Sequence, residues 1–155
     1  MTTIHIVIPP ETTAKMVKIQ ALPDELPLAM KRGMDYALEQ VRGRIQRDRL
    51  SGKGPYPPEE HRLGIVTQQL QRSLRAEPAV IRGSTIVGSI GSPVFYGALH
   101  EYGWSGTVVR GQGKPYLMTI PARAPVGTGV EENVDFIAGS LVDEIDKLLE
   151  DTSKP

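Results

Sequence analysis

The sequence predicts an α+β fold in which an antiparallel sheet of about four strands packs against a long N-terminal helix and a C-terminal helix. Amphipathic patterns near the two ends of the chain, over residues 24–50 and 131–150, predict the helices. Short β-rich segments between them, separated by glycine and proline, predict strands joined by turns. Helices that flank a strand-rich centre are typical of the α+β class.

The length of 155 residues fits one domain with its own core. We divide residues 1–155 into an N-terminal β-segment over 1–22, a core over 23–150 and a short tail over 151–155. The chain has no cysteine, which excludes a disulfide framework and fits a reducing compartment. Its apolar N-terminal run is too short for a signal peptide or a membrane-spanning helix, so we expect no membrane association.

The N-terminal half contains two predicted strands and the long helix. Isoleucines alternate with other residues over 4–8, which predicts a strand, and residues 16–22 suit a second. Asp24 is a plausible N-cap for the helix. The helix should end near Leu50, because residues 51–58 contain two glycines and three prolines. Its apolar positions recur every three or four residues: Met30, Met34, Ala37, Val41 and Ile45.

The second half contains a short helix, four strands and the last helix. Segments 79–82 and 84–90 predict a hairpin around Gly83, and segments 107–110 and 116–120 predict two further strands across a glycine-rich loop. We expect that loop, over 106–113, and the proline loop over 51–58 to order on docking. The short helix is predicted from Leu63, Val66, Leu70 and Leu74, and the last helix from Val134, Ile137, Leu141, Ile145 and Leu148.

The charge is balanced overall but not locally. Eighteen basic and eighteen acidic residues cancel, which argues against sequence-independent binding of free DNA. Residues 42–82 contain nine basic and four acidic residues, whereas residues 131–155 contain eight acidic and two basic ones. These segments are either solvated faces or the two halves of a head-to-tail contact between subunits.

Four of the eight aromatic residues lie within residues 95–104, and this window predicts a local core or a contact surface. It also contains His100 and Glu101, whose side chains we expect to bond nearby backbone. The His-Glu-x-x-His zinc pattern is absent, because Trp104 stands where its second histidine would be. No catalytic group, cofactor or metal site is predicted for the chain.

The sequence also lacks residues that nucleotide-binding and hydrolase motifs require. Gln112 stands where a phosphate-binding loop would have its lysine, and Tyr116 stands where a dinucleotide-binding loop would have its third glycine. The sequence Gly88-Ser89-Ile90-Gly91 lacks the Gly-x-Ser-x-Gly spacing of a nucleophile elbow. The arginines over 42–49 could touch phosphates, but cations are also favoured at a helix C-terminus.

The order of several short motifs is more informative than any one of them. A Leu-Ser-Gly and proline loop over 50–58 precedes the sequence LQRSL over 70–74 and VGS over 87–89. The sequences YGALHEYG over 96–103 and IPAR over 120–123 follow. In this order the chain resembles the tail-component and virion-morphogenesis proteins of tailed bacteriophages over residues 23–125. The chain departs from the family pattern at three places. The family usually has alanine at the position of Gly97 and phenylalanine at the position of Tyr102. It usually has Pro-Phe-Leu over 124–126, where this chain has Ala-Pro-Val.

The resemblance implies a non-enzymatic subunit of a ring, expected to be a hexamer, at the neck or head-proximal end of the tail. Its partners would be copies of itself, the tail tube protein and the head-completion or connector proteins. The genome DNA would pass through the ring without sequence recognition. The protein would be assembled in the host cytoplasm and end in the virion. The hypothetical interface comprises Tyr96, His100, Glu101, Tyr102, Trp104 and Arg123.

Three other functions stay open from the sequence. A head-closure or adaptor subunit would differ in its partners more than in its residues. A small hydrolase or nuclease would use His61, His100 and Glu101. A general α+β binding module, unrelated to virion assembly, would carry the same elements with a different partner.

Overall fold

A computed structural model describes residues 2–5, 25–52, 63, 68–111 and 113–152. The strand predicted over 16–22, the N-cap at Asp24, His61 and most of the proline loop lie outside these residues. The described part combines helices with antiparallel strands, as the sequence predicts. No helix within it is both long enough and apolar enough to cross a bilayer.

Helix α1 (Glu25–Asp48) is the central layer of the molecule. One side packs against the first sheet, and another packs against the last helix, α5 (Val134–Thr152). The approach of α5 is close at Gly33, where an added Cβ would lie 2.6 Å from the backbone oxygen of Ser140. The predicted apolar positions of α1 are all buried: Met30, Met34, Ala37, Val41 and Ile45.

The first sheet has the strand order β1-β3-β2 and is antiparallel throughout. Strands β2 (Arg75–Arg82) and β3 (Thr85–Gly91) form the predicted hairpin, and Gly83 supplies its positive φ of 60°. Strand β1 (Thr2–His5) pairs with the other edge of β3.

A bulge lies in β2 between Glu77 and Val80, where Pro78 has no N–H to donate. The Asp35 carboxylate of α1 accepts the N–H of Ala79 at 2.6 Å. This hydrogen bond satisfies a backbone donor that the irregular pairing would leave unpaired.

The remaining two strands form a separate sheet, so the single sheet of about four strands is not what the structure contains. Strands β4 (Trp104–Val108) and β5 (Tyr116–Ile120) pair only with each other. Helix α3 (Phe95–Tyr102) and the turn at Gly103, whose φ is 75°, separate this pair from β3. Gly106 therefore lies within β4 rather than in the predicted loop.

Three smaller features also differ from the sequence predictions. Helix α2 covers only Gln69–Ser73, and neither Leu63 nor Leu74 is helical. Val134 is 44% exposed, although the last helix was expected to bury it. Helix α5 continues to Thr152, so the expected tail over 151–155 begins as helix.

Candidate interaction surface

The side chain of Glu101 joins helix α3 to helix α4 (Pro125–Glu131). Its Oε2 accepts the backbone N–H of Val126 at 3.0 Å, and its Oε1 accepts that of Gly127 at 2.6 Å. Glu101 is buried. These contacts confirm the expected hydrogen bonding of Glu101 to backbone.

Helix α4 needs this carboxylate because its own N-cap residue cannot provide one. Ala124 occupies that position with a φ of 43° and makes no side-chain cap. Pro125 follows at the first helical position, where its missing N–H costs nothing. Glu101 accepts the next two N–H groups of the helix. Its negative charge also interacts favourably with the positive end of the helix dipole.

His100 contributes its backbone rather than its side chain to the same junction. Its carbonyl oxygen accepts the N–H of Arg123 at 2.8 Å and that of Ala124 at 3.3 Å. Nδ1 of His100 is buried and has no hydrogen-bond partner among the described residues, so the expected side-chain bond is absent there. Burial, and secondarily the charge of Arg123, lower the pKa of His100 below its usual 6.5.

Strands β4 and β5 form a hairpin whose two faces differ in character. Cross-strand partners in an antiparallel pair point to the same face. Trp104 pairs with Ile120, Gly106 with Met118, and Val108 with Tyr116. We call the face formed by Trp104, Val108, Tyr116, Met118 and Ile120 the apolar hairpin face. The opposite face carries Ser105, Thr107 and Thr119 with the exposed Leu117, and Ser105 hydrogen-bonds with Thr119 at 3.2 Å.

The apolar hairpin face is partly exposed to solvent in the single chain, where Val108 and Ile120 are half-buried. Trp104 is 37% exposed, Met118 38% and Tyr116 46%. No described helix or strand packs extensively on either strand of the hairpin. A two-stranded hairpin is marginally stable by itself, and exposed apolar area of this kind marks interaction sites.

Trp104 lies flat along its own strand. A Cβ added at Gly106 would come within 2.5 Å of Cζ2 of the indole, so the ring lies over this glycine. Glycine is the residue that leaves room for it. The indole thereby offers a broad surface beside Met118 and Ile120.

The predicted site residues divide into two groups in the structure. Tyr96, His100, Glu101 and Tyr102 lie on α3, and Arg123 lies where the chain enters α4. Of these, Tyr102 is exposed, Glu101 is buried, and the others are partly buried. Trp104 lies on the hairpin. The sequence analysis missed Tyr116 and Met118, although alternation along β5 could have placed them on the face of Trp104.

Two arginines of the basic segment contact the start of the acidic segment within the same chain. Arg44 hydrogen-bonds with Asn133, and its guanidinium lies 4.0 Å from the ring centroid of Phe136. Arg49 forms an ion pair with Glu132. These arginines at the end of α1 therefore hold the start of α5, which makes them less available to another subunit or to phosphates.

The described residues contain no group of three side chains placed to hold a metal ion. A small pocket between α3 and α4 is mostly apolar, and Glu101 lies at its wall. Its other walls include Leu50, Leu70, Ala98, Pro125 and Val126. Both carboxylate oxygens of Glu101 already accept backbone hydrogens, so this pocket offers no obvious acid–base pair.

The chain was also compared with known proteins. No protein-family model matches it, and searches of curated proteins and of solved structures find no match.

Proposed function

We propose that this chain is a non-enzymatic structural subunit of a tailed-bacteriophage virion. Copies of it form a ring at the neck or head-proximal end of the tail, which completes the tail and joins it to the head. The tail tube and the head-completion or connector proteins are its neighbours. The genome DNA passes through the ring.

The observation that carries this proposal is the partly exposed apolar hairpin face, together with the exposed Phe95 and Tyr102 of α3. A subunit designed for assembly exposes such aromatic area until its neighbour covers it. The same segment contains the motifs that resemble tail-component proteins. The balanced net charge of zero supports a channel lining that does not trap DNA.

The runner-up functions have weaker support. A head-closure or adaptor ring would use the same surface with another partner. A small hydrolase using His61, His100 and Glu101 would need a free carboxylate, whereas that of Glu101 is bonded to Val126 and Gly127. A general binding module would not form rings.

Light scattering and negative-stain imaging test the proposal. The purified protein should form rings of about six copies, alone or on tail tubes polymerised from the tail-tube protein of the same genome. Trp104→Ala should prevent the rings and leave the subunit folded. Val80→Ala, which removes an exposed apolar side chain from β2, is the control and should not prevent them. A monomer that ignores tail tubes would rule the proposal out.

A further inference from the structure

We infer that the apolar hairpin face of one subunit packs on the outward face of helix α5 in a second copy of this chain. The inference deepens the proposed ring and rests on it. It identifies which two surfaces meet between neighbouring subunits.

The hairpin has one apolar side and a basic tip. Arg110 and Lys114 flank its turn and are exposed. The sequence has no acidic residue from Tyr102 to Val130, so the hairpin cannot neutralise its own charge. Its partner should therefore combine an apolar strip with negative charge.

The outward face of α5 is acidic and borders an apolar strip. Ile137, Leu141 and Ile145 point inward and are buried, which leaves the opposite face to solvent. Four exposed acidic residues lie on that face or at its border: Asp135, Asp143, Asp146 and Glu150. Lys147 is the basic residue there, and its ammonium is 2.6 Å from Glu144.

The middle of the same face is low enough to receive a flat surface. Gly139 lies there, and a Cβ added to it would meet nothing within 4 Å. Ala138 is exposed at the border of this face, beside the buried stripe, and Val134, one turn earlier on that border, is 44% exposed. The indole of Trp104 and the side chain of Met118 would lie over these short residues, while Arg110 and Lys114 reach the acidic ones.

The contact joins different surfaces of the two copies. Within one subunit the hairpin does not pack extensively on α5, as far as the described residues show. Each copy therefore contributes its hairpin to one neighbour and the outward face of its α5 to the other. A contact of this heterologous type closes into a ring when its rotation permits.

Cysteine cross-linking tests the contact directly, because the chain has no cysteine of its own. Protein with Met118→Cys is mixed with protein with Ala138→Cys and treated with a short bis-maleimide. Thr119→Cys, one residue along on the other hairpin face, replaces the first partner as a control. Gln40→Cys, exposed on α1, replaces the second. We expect cross-linked heterodimers several-fold above both controls.

Charge reversal provides a second readout. Arg110→Glu with Lys114→Glu should weaken association about tenfold or more, and Asp143→Lys with Asp146→Lys in the neighbour should restore it. Rescue of this kind requires that the two groups of charges face each other.

Each other outcome overturns the inference in a recognisable way. Rings without the 118–138 cross-link would keep the proposed function and refute this contact. Efficient linking of Met118→Cys to itself would indicate hairpins packed face to face, and equal linking through Thr119→Cys would indicate pairing of strand edges. No association, in solution or on tail tubes, would overturn both proposals.

Discussion

The carboxylate of Glu101 lies 2.6 Å from the backbone nitrogen of Gly127, although 26 positions separate them in the chain. An added Cβ at Gly127 would lie 2.9 Å from Oε1, so a side chain there would have to displace the carboxylate. A side chain at the end of one helix thus caps the next helix. The β4–β5 hairpin lies between these two helices in the chain. The contact between the helices therefore fixes the end of the hairpin at which the chain enters and leaves it.

Replacement of Glu101 should destabilise the fold. Glu101→Ala leaves the N–H groups of Val126 and Gly127 without their acceptor, and we expect a loss of about 2 kcal/mol in the free energy of unfolding. Glu101→Gln retains one acceptor oxygen and should lose less. Urea unfolding measures both. Glu131→Ala, at an exposed position, is the control, and an equal loss there would contradict the capping role.

Two glycines of α1 should respond in opposite directions to alanine. Gly43 has nothing within 4 Å of an added Cβ, so Gly43→Ala should stabilise the protein by about 0.5–1 kcal/mol through helix propensity. Gly33→Ala would push against the backbone of Ser140 and should destabilise it by about 1–3 kcal/mol. Thermal unfolding of the pair tests the close packing of α1 on α5. A stabilising Gly33→Ala would show that the helices lie farther apart.

His100 should make stability depend on pH. Its pKa is lowered in the folded state by burial and then by Arg123, so the unfolded chain takes up the proton more readily. The contribution of His100 is therefore complete above its unfolded pKa of about 6.5 and is lost as the pH falls below it.

The melting temperature, followed from about pH 7.5 to pH 5, measures this effect. His100→Gln should flatten the decline relative to the unmodified protein, because the two proteins differ only at this side chain. Parallel curves for the two proteins would contradict the assignment.

Trp104 gives assembly a fluorescence signal, because it is the only tryptophan in the chain. It is 37% exposed in the single subunit. We expect its emission to shift to shorter wavelength, and its quenching by iodide to fall, as the protein concentration rises through ring formation. Ring formation with unchanged emission would mean that the indole lies outside the contact.

The sequence predicts the elements that have a strong period or a strong turn signal. The apolar spacing from Met30 to Ile45 predicts α1, and Gly83 between two β-rich runs predicts the β2–β3 hairpin. Local pattern is enough in these cases, because each element buries one continuous face.

Helices α3 and α4 could not be predicted in the same way. Each is eight residues or shorter, and the cap of α4 is Glu101, far away in the sequence. Only the tertiary fold brings them together. Gly97 lies inside α3, and glycine is a weak helix former, so the local sequence does not signal a helix there. The separation of β4 and β5 from the first sheet likewise depends on the path of α3.

The ends of β5 limit unintended pairing of the hairpin with a strand of another chain. Each strand of the β4–β5 hairpin pairs with the other along one edge only, and each strand is five residues long. Pro115 and Pro121 stand directly before and after β5, and neither can donate to an extended ladder. A second chain can therefore add only a few hydrogen bonds along these strands, too few to extend the sheet into a fibre.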